Sequence, residues 1–207
     1  MGEQKTPDES SVADSGQPAQ PGRIRRLAWW FGSRVAVVYL GLMVVAMFFE
    51  ERLIFFPSRY PEGDWNPRGL TVEDAEFTAD DGVRLHGWFC QVENPRAVVL
   101  VSHGNAGNIT HRDEEIKLWQ RHLGVSIFIY DYRGFGRSEG SPNESGVYAD
   151  VRAAYHWLTE QKQIAAEEIV LRGESIGSAV SLQLALEVPH RALIMESPFT
   201  SAVAMGQ

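Results

Sequence analysis

Residues 169–182 read IVLRGESIGSAVSL and carry the pattern Gly-x-Ser-x-Gly, centred on Ser175. Apolar residues typical of a buried strand precede the pattern, and residues typical of a helix follow it. A serine on such a sharp strand-to-helix turn has a strained backbone and needs small neighbours, which Gly173, Gly177 and Ser178 provide. The stretch therefore predicts a strand–turn–helix unit with Ser175 as its nucleophile. The competing interpretation is a glycine-rich turn with a capping serine.

Two backbone N–H groups are predicted near this serine. The N–H of Ile176 begins the predicted helix, where the helix dipole favours a developing oxyanion. Residues 103–108 read HGNAGN and follow the apolar run 97–102, AVVLVS, a predicted buried strand. In folds with such a turn, a loop in this place supplies the second oxyanion donor, and we expect the Asn105 N–H to be that donor. His103 lies at the same edge, as a catalytic base or, in the interpretation we favour, as a structural histidine bonding the loop.

Short apolar runs alternate with helical patterns along the rest of the chain. A hairpin comes first, from strands 70–78 and 83–91 joined around the Asp-Gly signal at 81–82. The other predicted elements are helix 109–122, strand 124–130, helix 148–161, strand 168–172, helix 175–188 and strand 192–195. Strands separated by helices of this length predict a mostly parallel sheet with helices on both faces.

A third glycine-rich block, DYRGFGRSEG, occupies residues 131–140 after a predicted strand. Its Arg133 and Arg137 can either hold an acidic group or bond loop carbonyls, and we interpret both as structural. Asp150, early in the following predicted helix, suits the positive end of the helix dipole. We assign Asp150 no catalytic role.

Together, the HGNAGN, DYRGFGRSEG and GESIG blocks resemble the α/β-hydrolase superfamily. Within it, the sequence resembles membrane-anchored α/β-hydrolase domain-containing proteins and serine aminopeptidase-like hydrolases, over about residues 53–207. The resemblance implies an α/β-hydrolase fold, with Ser175 as nucleophile and Ile176 with Asn105 as the oxyanion hole. The anchored subgroup includes enzymes that cleave thioesters of acylated proteins, so the resemblance adds that substrate as an option.

The catalytic acid and base of the superfamily are expected after the nucleophile, in the order Asp or Glu, then His. After Ser175, the sequence offers Glu187 and Glu196 as acids and His190 as histidine. Glu187 falls within the predicted helix, His190 precedes a strand at the far edge of the sheet, and no histidine follows Glu196. A full domain needs roughly 50–80 more residues. We therefore expect the triad acid and base beyond Gln207, and a C-terminally truncated domain that lacks the final strands.

The N-terminal part is predicted to hold a membrane anchor. Residues 1–22 are polar and have almost no large apolar residues, which predicts a disordered tail. Residues 23–52 contain a largely apolar run of roughly 23 residues, enough to cross the ~30 Å core of a bilayer. A cleaved signal peptide and a buried core helix are the alternatives.

Charge asymmetry predicts the orientation of this anchor. Four arginines, at 23, 25, 26 and 34, precede the densest apolar part, which places the N-terminus in the cytoplasm and the rest outside it. Residues 53–69, with three prolines, are a predicted linker. Residues 70–207 form the predicted α/β-hydrolase domain.

Composition excludes several classes of partner. The chain has a net charge of -8 and a sequence pI of about 5.3, so it repels phosphate backbones and nucleic acid is not an expected partner. Cys90 is the sole cysteine, which excludes an intrachain disulfide and a metal site built from several thiolates. Cys90 alternates with Trp88 and is predicted to pack in the core. We expect neither a metal nor a cofactor, and the oligomeric state is not predicted.

Three hypotheses for function follow from these patterns. The first is a serine hydrolase that cleaves an ester, thioester or amide of a small-molecule or acylated substrate through a Ser175 acyl-enzyme. The second is a catalytically inactive, membrane-tethered binding protein. The third is a truncated fragment that does not fold stably, because losing the last strands exposes a sheet edge. The sequence does not fix the natural substrate or its acyl chain.

Overall fold

A computed structural model describes residues 22–198 of the chain, without the side chains of 23, 24 and 47–50. The chain divides into two compact units, Met1–Phe48 and Phe49–Gln207. The predicted disordered tail falls on residues outside the described part, except that Gly22 already begins a helix.

The first helix, α1, runs from Gly22 to Ile54. Its segment Arg25–Ala46 has a mean hydropathy of 1.5 and contains no buried residue, unlike a helix in the core of a soluble fold. The guanidinium of Arg34 lies 4.0 Å from the ring centre of Trp30, a cation–π contact. By length and composition this helix can cross a membrane, and a signal sequence has the same properties.

The second unit is built on a six-stranded mixed sheet. The strands in chain order are β1 (Phe56–Pro57), β2 (Glu73–Thr78), β3 (Arg84–Cys90), β4 (Val98–Ser102), β5 (Ala106–Gly107), β6 (Ser126–Asp131), β7 (Ile169–Glu174) and β8 (Ala192–Glu196). The main sheet has the order β2-β3-β6-β4-β7-β8, and β1 pairs separately with β5. The hairpin β2–β3 and the pair β3–β6 are antiparallel, and the remaining pairs are parallel. The predicted hairpin and mostly parallel sheet are confirmed.

Three helices connect the parallel strands. They are α2 (Asp113–Leu123), which a 3₁₀ turn at Ile109–Arg112 precedes, α3 (Glu144–His156), which a π-helical turn at Trp157–Gln161 continues, and α4 (Ile176–Glu187). Helix α3 begins four residues before its predicted start, because the Asn143 side chain accepts a hydrogen bond from the Gly146 N–H at 2.7 Å and caps the helix. Asp150 consequently lies in the second turn of α3, and the predicted interaction with the end of the helix dipole was wrong.

Alternate side chains of the central strands pack on opposite faces of the sheet. On one face, Phe128 and Tyr130 of β6 pack with α3 and α4, and on the other, Ile127 and Ile129 pack with α2. Each of these β6 side chains is fully buried or nearly so, and burial of one such side chain stabilises the fold by about 1.5–3 kcal/mol. Cys90 is buried, and burial raises the pKa of its thiol to about 12, as its predicted packing role implies. The sheet therefore has helices on both faces, and its carboxyl edge is left open between them.

Candidate active site

Ser175 lies at the junction of β7 and α4 with an unusual backbone conformation. Its φ is 53° and its ψ is -117°, a region that costs a non-glycine residue about 1–3 kcal/mol. The Ser175 N–H donates to the Glu196 carbonyl at 2.8 Å, which ties the turn to the end of β8. The side chain is half-buried, and its hydroxyl has no hydrogen-bond partner among residues 22–198. The strained turn thus places the Ser175 hydroxyl at the carboxyl edge of the sheet, at the start of α4.

The two glycines of the pattern allow this turn to form. A Cβ at Gly173 would overlap the Gly177 carbonyl and lie 2.5 Å from the Cα of Ser178. A Cβ at Gly177 would overlap the Ser102 carbonyl and lie 2.7 Å from the carbonyl oxygen of His103. Both neighbours are backbone atoms, so a side chain cannot be accommodated by a rotamer change. The start of α4 thus packs directly against the end of β4 and the loop that follows it.

The N-terminus of α4 faces this junction with free donors. Ile176 is the first residue of the helix, where the N–H has no carbonyl of a preceding turn to bond. The Ser178 hydroxyl donates towards the Gly173 carbonyl at 2.9 Å and the Glu196 carbonyl at 3.1 Å, so it holds the turn and leaves the helix end open. The unpaired N–H groups and the helix dipole favour negative charge there.

The loop at residues 103–108 lies beside the turn, as predicted. The Asn105 N–H donates to no atom of the described residues, while its carbonyl accepts the Phe56 N–H at 2.8 Å. His103 is buried, and its Nδ1 lies 2.7 Å from the Gly104 carbonyl. Burial lowers the pKa of His103 to about 3, so the ring is neutral at physiological pH. His103 bonds its own loop, in agreement with the structural interpretation.

The buried carboxyl group of Asp131 lies next to the loop at residues 103–108. Asp131 Oδ1 accepts the Ile109 N–H at 3.0 Å and lies 3.9 Å from His103 Nε2. Burial raises the pKa of Asp131 to about 8. The Tyr132 hydroxyl donates to the His103 carbonyl at 2.8 Å. At neutral pH both Asp131 and His103 are therefore uncharged, and neither brings a net charge to the site.

Charged residues that were not predicted from the sequence flank the turn at Ser175. Arg112 lies 3.5 Å from Glu174, the residue before Ser175. Arg172 of β7 is buried and pairs with Glu115 at 2.8 Å and with Glu196. An arginine inside an apolar strand is almost never buried unpaired, so the single basic residue of IVLRGE was the available signal. The Glu196 side chain, an acid at the expected edge of the sheet, is engaged by Arg172.

Glu187 and His190, which follow Ser175 in the sequence, lie away from it. Glu187 ends α4 and lies 3.3 Å from Arg152. His190 precedes β8 at the opposite edge of the sheet, with Nδ1 3.0 Å from the Val188 carbonyl. Neither residue approaches the turn at Ser175, as expected from their positions in the sequence.

The arginines of the DYRGFGRSEG block stabilise the loops around it. Arg133 is buried and bonds Asp150 with Nε at 2.9 Å and Nη2 at 2.8 Å. It also bonds Asp81 at 2.6 Å. The Arg137 guanidinium lies 4.5 Å from the ring centre of Trp65. Both arginines are thus bound within the protein, as the structural interpretation requires, but to carboxylates and a ring rather than to the predicted loop carbonyls. Asp150 is the partner of a buried cation.

Comparison with known proteins identifies the family. A family model described as "Serine aminopeptidase, S33" matches residues 93–205, more than half of the chain. The chain belongs to the serine aminopeptidase S33 family of α/β-hydrolases. The resemblance stated from the three glycine-rich blocks is thereby confirmed.

Curated relatives and solved structures agree with this family. This α/β-hydrolase is 37% identical over 174 residues to an uncharacterized protein of Mycobacterium tuberculosis, covering 83% of this chain and 62% of that protein. It is 34% identical to the alpha/beta hydrolase domain-containing protein WAV2 of Arabidopsis thaliana, covering 88% of this chain and 61% of that protein. The chain thus spans about three fifths of the length of these relatives. An esterase of Pyrococcus furiosus superposes with a TM-score of 0.60 at 24% identity, over 70% of this chain and 57% of that chain, which confirms the fold.

Proposed function

We propose that the protein is a serine hydrolase that cleaves an ester, thioester or amide through an acyl-enzyme on Ser175. The proposal rests mainly on the strained backbone of Ser175. This conformation is possible because Gly173 and Gly177 approach neighbouring backbone atoms closely. Strain of this kind persists only where the surrounding structure enforces it, and it is concentrated at functional sites. Membership of a hydrolase family supports the same chemistry.

The proposed reaction uses the groups at the open edge of the sheet. The Ser175 hydroxyl oxygen attacks the carbonyl carbon of the substrate, and the serine proton passes to a general base. The oxyanion of the tetrahedral intermediate accepts hydrogen bonds from the N–H groups of Ile176 and Asn105, which are both unpaired among the described residues. The base then gives its proton to the leaving group, which departs as an alcohol, thiol or amine. Water finally hydrolyses the acyl-enzyme.

We assign the general base and its acid partner to a part of the protein outside residues 22–198. Within that range the Ser175 hydroxyl has no hydrogen bond with a histidine, and His103 is buried with its Nδ1 on the Gly104 carbonyl. The curated relatives extend beyond the region matched by this chain. We place the missing pair in the part of the protein that corresponds to that remainder.

A fluorophosphonate probe tests the nucleophile directly. We expect the protein, purified as the gene encodes it, to gain one adduct that peptide mass spectrometry locates on Ser175. Ser175→Ala should abolish both labelling and hydrolysis of p-nitrophenyl butyrate. Ser145→Ala is the matched control, because Ser145 is an exposed serine on α3. Equal labelling of Ser175→Ala and the unaltered protein would reject the proposal and favour a non-catalytic binding role.

We further propose that α1 anchors the enzyme in a membrane, with the N-terminus in the cytoplasm and the hydrolase domain outside it. The exposed apolar segment Arg25–Ala46 supports the anchor, and the arginines at its start support the orientation. Substrates are then small molecules or acylated molecules, thioesters among them, that reach the extracytoplasmic face. Alkaline phosphatase fused after Phe56 should be active in bacterial cells. Activity restricted to a cytoplasmic reporter at the same junction would reverse the orientation.

A further inference from the structure

Residues 54–62, which begin at the last residue of α1, are bound to the domain along their length. We call these residues the strap. In the strap, β1 pairs in parallel with β5, which lies in the loop at 103–108. The Phe56 N–H donates to the Asn105 carbonyl at 2.8 Å, and the Ser58 N–H donates to the Gly107 carbonyl at 3.0 Å. Phe55 is buried and contacts Phe135 edge to face, so the strap also contributes a side chain to the core.

Two asparagine side chains extend this pairing at its ends. Asn105 Nδ2 donates to the Ile54 carbonyl at 2.7 Å. Asn108 Nδ2 donates to the Glu62 carbonyl at 2.9 Å and lies 3.3 Å from the Ser58 carbonyl. The loop is thus held to the strap at its start, middle and end. A side-chain amide donor suits this contact, because the last carbonyls of a helix have no partner within it.

The strap also holds the glycine-rich block at 131–140. The Gly136 N–H donates to the Ser58 carbonyl at 2.9 Å, and the Tyr60 N–H donates to the Gly136 carbonyl at 2.8 Å. Arg59 Nε donates to the Gly134 carbonyl at 3.1 Å. The same nine residues therefore connect both loops at the open edge of the sheet. A peptide bound in this way fixes the loops relative to each other.

We infer that the side chain of Asn105 is a positioning residue, which sets the oxyanion-binding N–H of the same residue by bonding the end of α1. The inference rests on the proposed function, in which the Asn105 N–H is the second oxyanion donor. Three groups of Asn105 then have separate tasks: its carbonyl and its amide side chain bind the strap, and its N–H stays free for the substrate. The Asn105 N–H belongs to the peptide unit that carries the Gly104 carbonyl, which lies 2.7 Å from His103 Nδ1. The side-chain bond to the Ile54 carbonyl restrains the Asn105 end of this unit. Without that bond, among the described residues the Asn105 end is restrained by its carbonyl bond to Phe56 alone, and the N–H loses its fixed direction.

Loss of this bond should act on the transition state more than on substrate binding. Displacement of a catalytic group by about 1 Å can cost about 100-fold in rate, and an oxyanion donor contributes little to ground-state binding. We therefore expect Asn105→Ala to lower kcat by about 10- to 100-fold with KM changed less than about twofold. Affinity for a trifluoromethyl ketone, which forms a tetrahedral adduct bearing an oxyanion, should fall by the same factor as kcat.

The experiment compares three variants of the protein purified with its α1 helix, using p-nitrophenyl butyrate as substrate. Asn105→Ala removes the side-chain donor and keeps the backbone N–H. Asn105→Asp keeps the shape and replaces the donor by an acceptor facing the Ile54 carbonyl, so it should lower kcat at least as much. Asn143→Ala is the matched control, because it removes an asparagine–backbone hydrogen bond at the start of α3 and should leave kcat within about twofold.

The outcomes separate this inference from the proposed function. Unchanged kcat in Asn105→Ala, or normal kcat in Asn105→Asp, would overturn the positioning role, as would an equal loss of kcat in Asn143→Ala. A KM increase with unchanged kcat would also overturn it. Ser175→Ala separates the positioning role of Asn105 from the proposed function. If Ser175→Ala is inactive, the results for the Asn105 variants test the positioning role alone. If Ser175→Ala retains full activity, the proposed function itself fails.

Discussion

Substitution of Gly177 by alanine should disrupt the packing that forms the turn at Ser175. The new methyl group would lie 2.7 Å from the His103 carbonyl oxygen and closer still to that of Ser102, against carbon–oxygen contacts of about 3.3 Å or more. Ser102 belongs to β4 and pairs with Gly173 of the neighbouring strand β7. The Tyr132 hydroxyl holds the His103 carbonyl. Because neither oxygen can move freely, α4 must retreat from β4 by roughly 1 Å or more, since the closer contact, to the Ser102 oxygen, falls short of an ordinary one of about 3.3 Å by more than that.

The loss of stability that this movement of α4 causes can be estimated. Overpacking a tight contact costs about 1–3 kcal/mol, and the clash here meets backbone on two sides, so we expect about 2–4 kcal/mol of lost stability. For a protein of this size each kcal/mol shifts Tm by about 2–4 °C, which gives a decrease of roughly 4–16 °C. Urea titration followed by tryptophan fluorescence measures the free energy of unfolding independently of activity.

Gly104→Ala is the matched control for Gly177→Ala. A Cβ at Gly104 meets its nearest neighbour, the Glu174 side chain, at 3.8 Å, which is an ordinary contact. We expect this variant to stay within about 0.5 kcal/mol of the unaltered protein. If Gly177→Ala is as stable as Gly104→Ala, the close approach of α4 to β4 is not the constraint that selects glycine there, and the packing argument for the turn fails.

Three further predictions concern buried ionisable groups. Asp150→Ala leaves the Arg133 cation buried without its inner partner and should cost about 3–5 kcal/mol, whereas Asp81→Ala removes the half-exposed partner and should cost about 0–1 kcal/mol; urea titration showing equal losses would contradict the assignment. Burial raises the pKa of Asp131 from an ordinary value of 3.8 to about 8, so its contribution to stability is complete below about pH 4 and is lost as the pH rises through about 8. Asp131→Asn should therefore flatten the fall in the free energy of unfolding across that window, and an unchanged slope in a urea–pH series would refute the shift. The Cys90 thiol, with its pKa raised to about 12, should resist iodoacetamide at pH 8 until urea unfolds the protein; intact mass measures the adduct, and complete modification of the folded protein would contradict its burial.

Features with a local sequence signal were predicted well. The runs AVVLVS and GVSIFIY contain β4 and β6, because short, continuous runs of apolar and β-branched residues suit strands that are buried on both faces. The turn at Ser175 was predicted because its glycines, its strand and its helix are all within a few residues of each other. Roles as catalytic serine and oxyanion donors remain predictions from pattern and geometry.

Features that depend on distant contacts were missed. The start of α3 is an exception, since its signal is local: Asn143 caps the helix, whereas the predicted helix begins at residue 148, which placed Asp150 in the wrong turn. The strap had no local signal, since its prolines indicate a linker and its bonds join residues roughly 50–80 positions apart. Arg172 had a local signal, as a basic residue inside an apolar strand, but its partners Glu115 and Glu196 come from α2 and β8 and could not be identified from it. Sequence distance hides such pairs because no periodicity connects them.

The strap has a practical consequence for producing a soluble version of the protein. A cut after residue 62 would appear reasonable from composition, because it removes the apolar helix and the proline-rich segment together. Such a protein would lose the backbone partners of Asn105, Asn108 and Gly136 and expose the surface that Phe55 covers. A cut at the boundary between the two compact units, after Phe48, removes the exposed apolar segment and keeps every one of those partners. Shorter versions that express and fold without activity are therefore poor evidence that the protein has none.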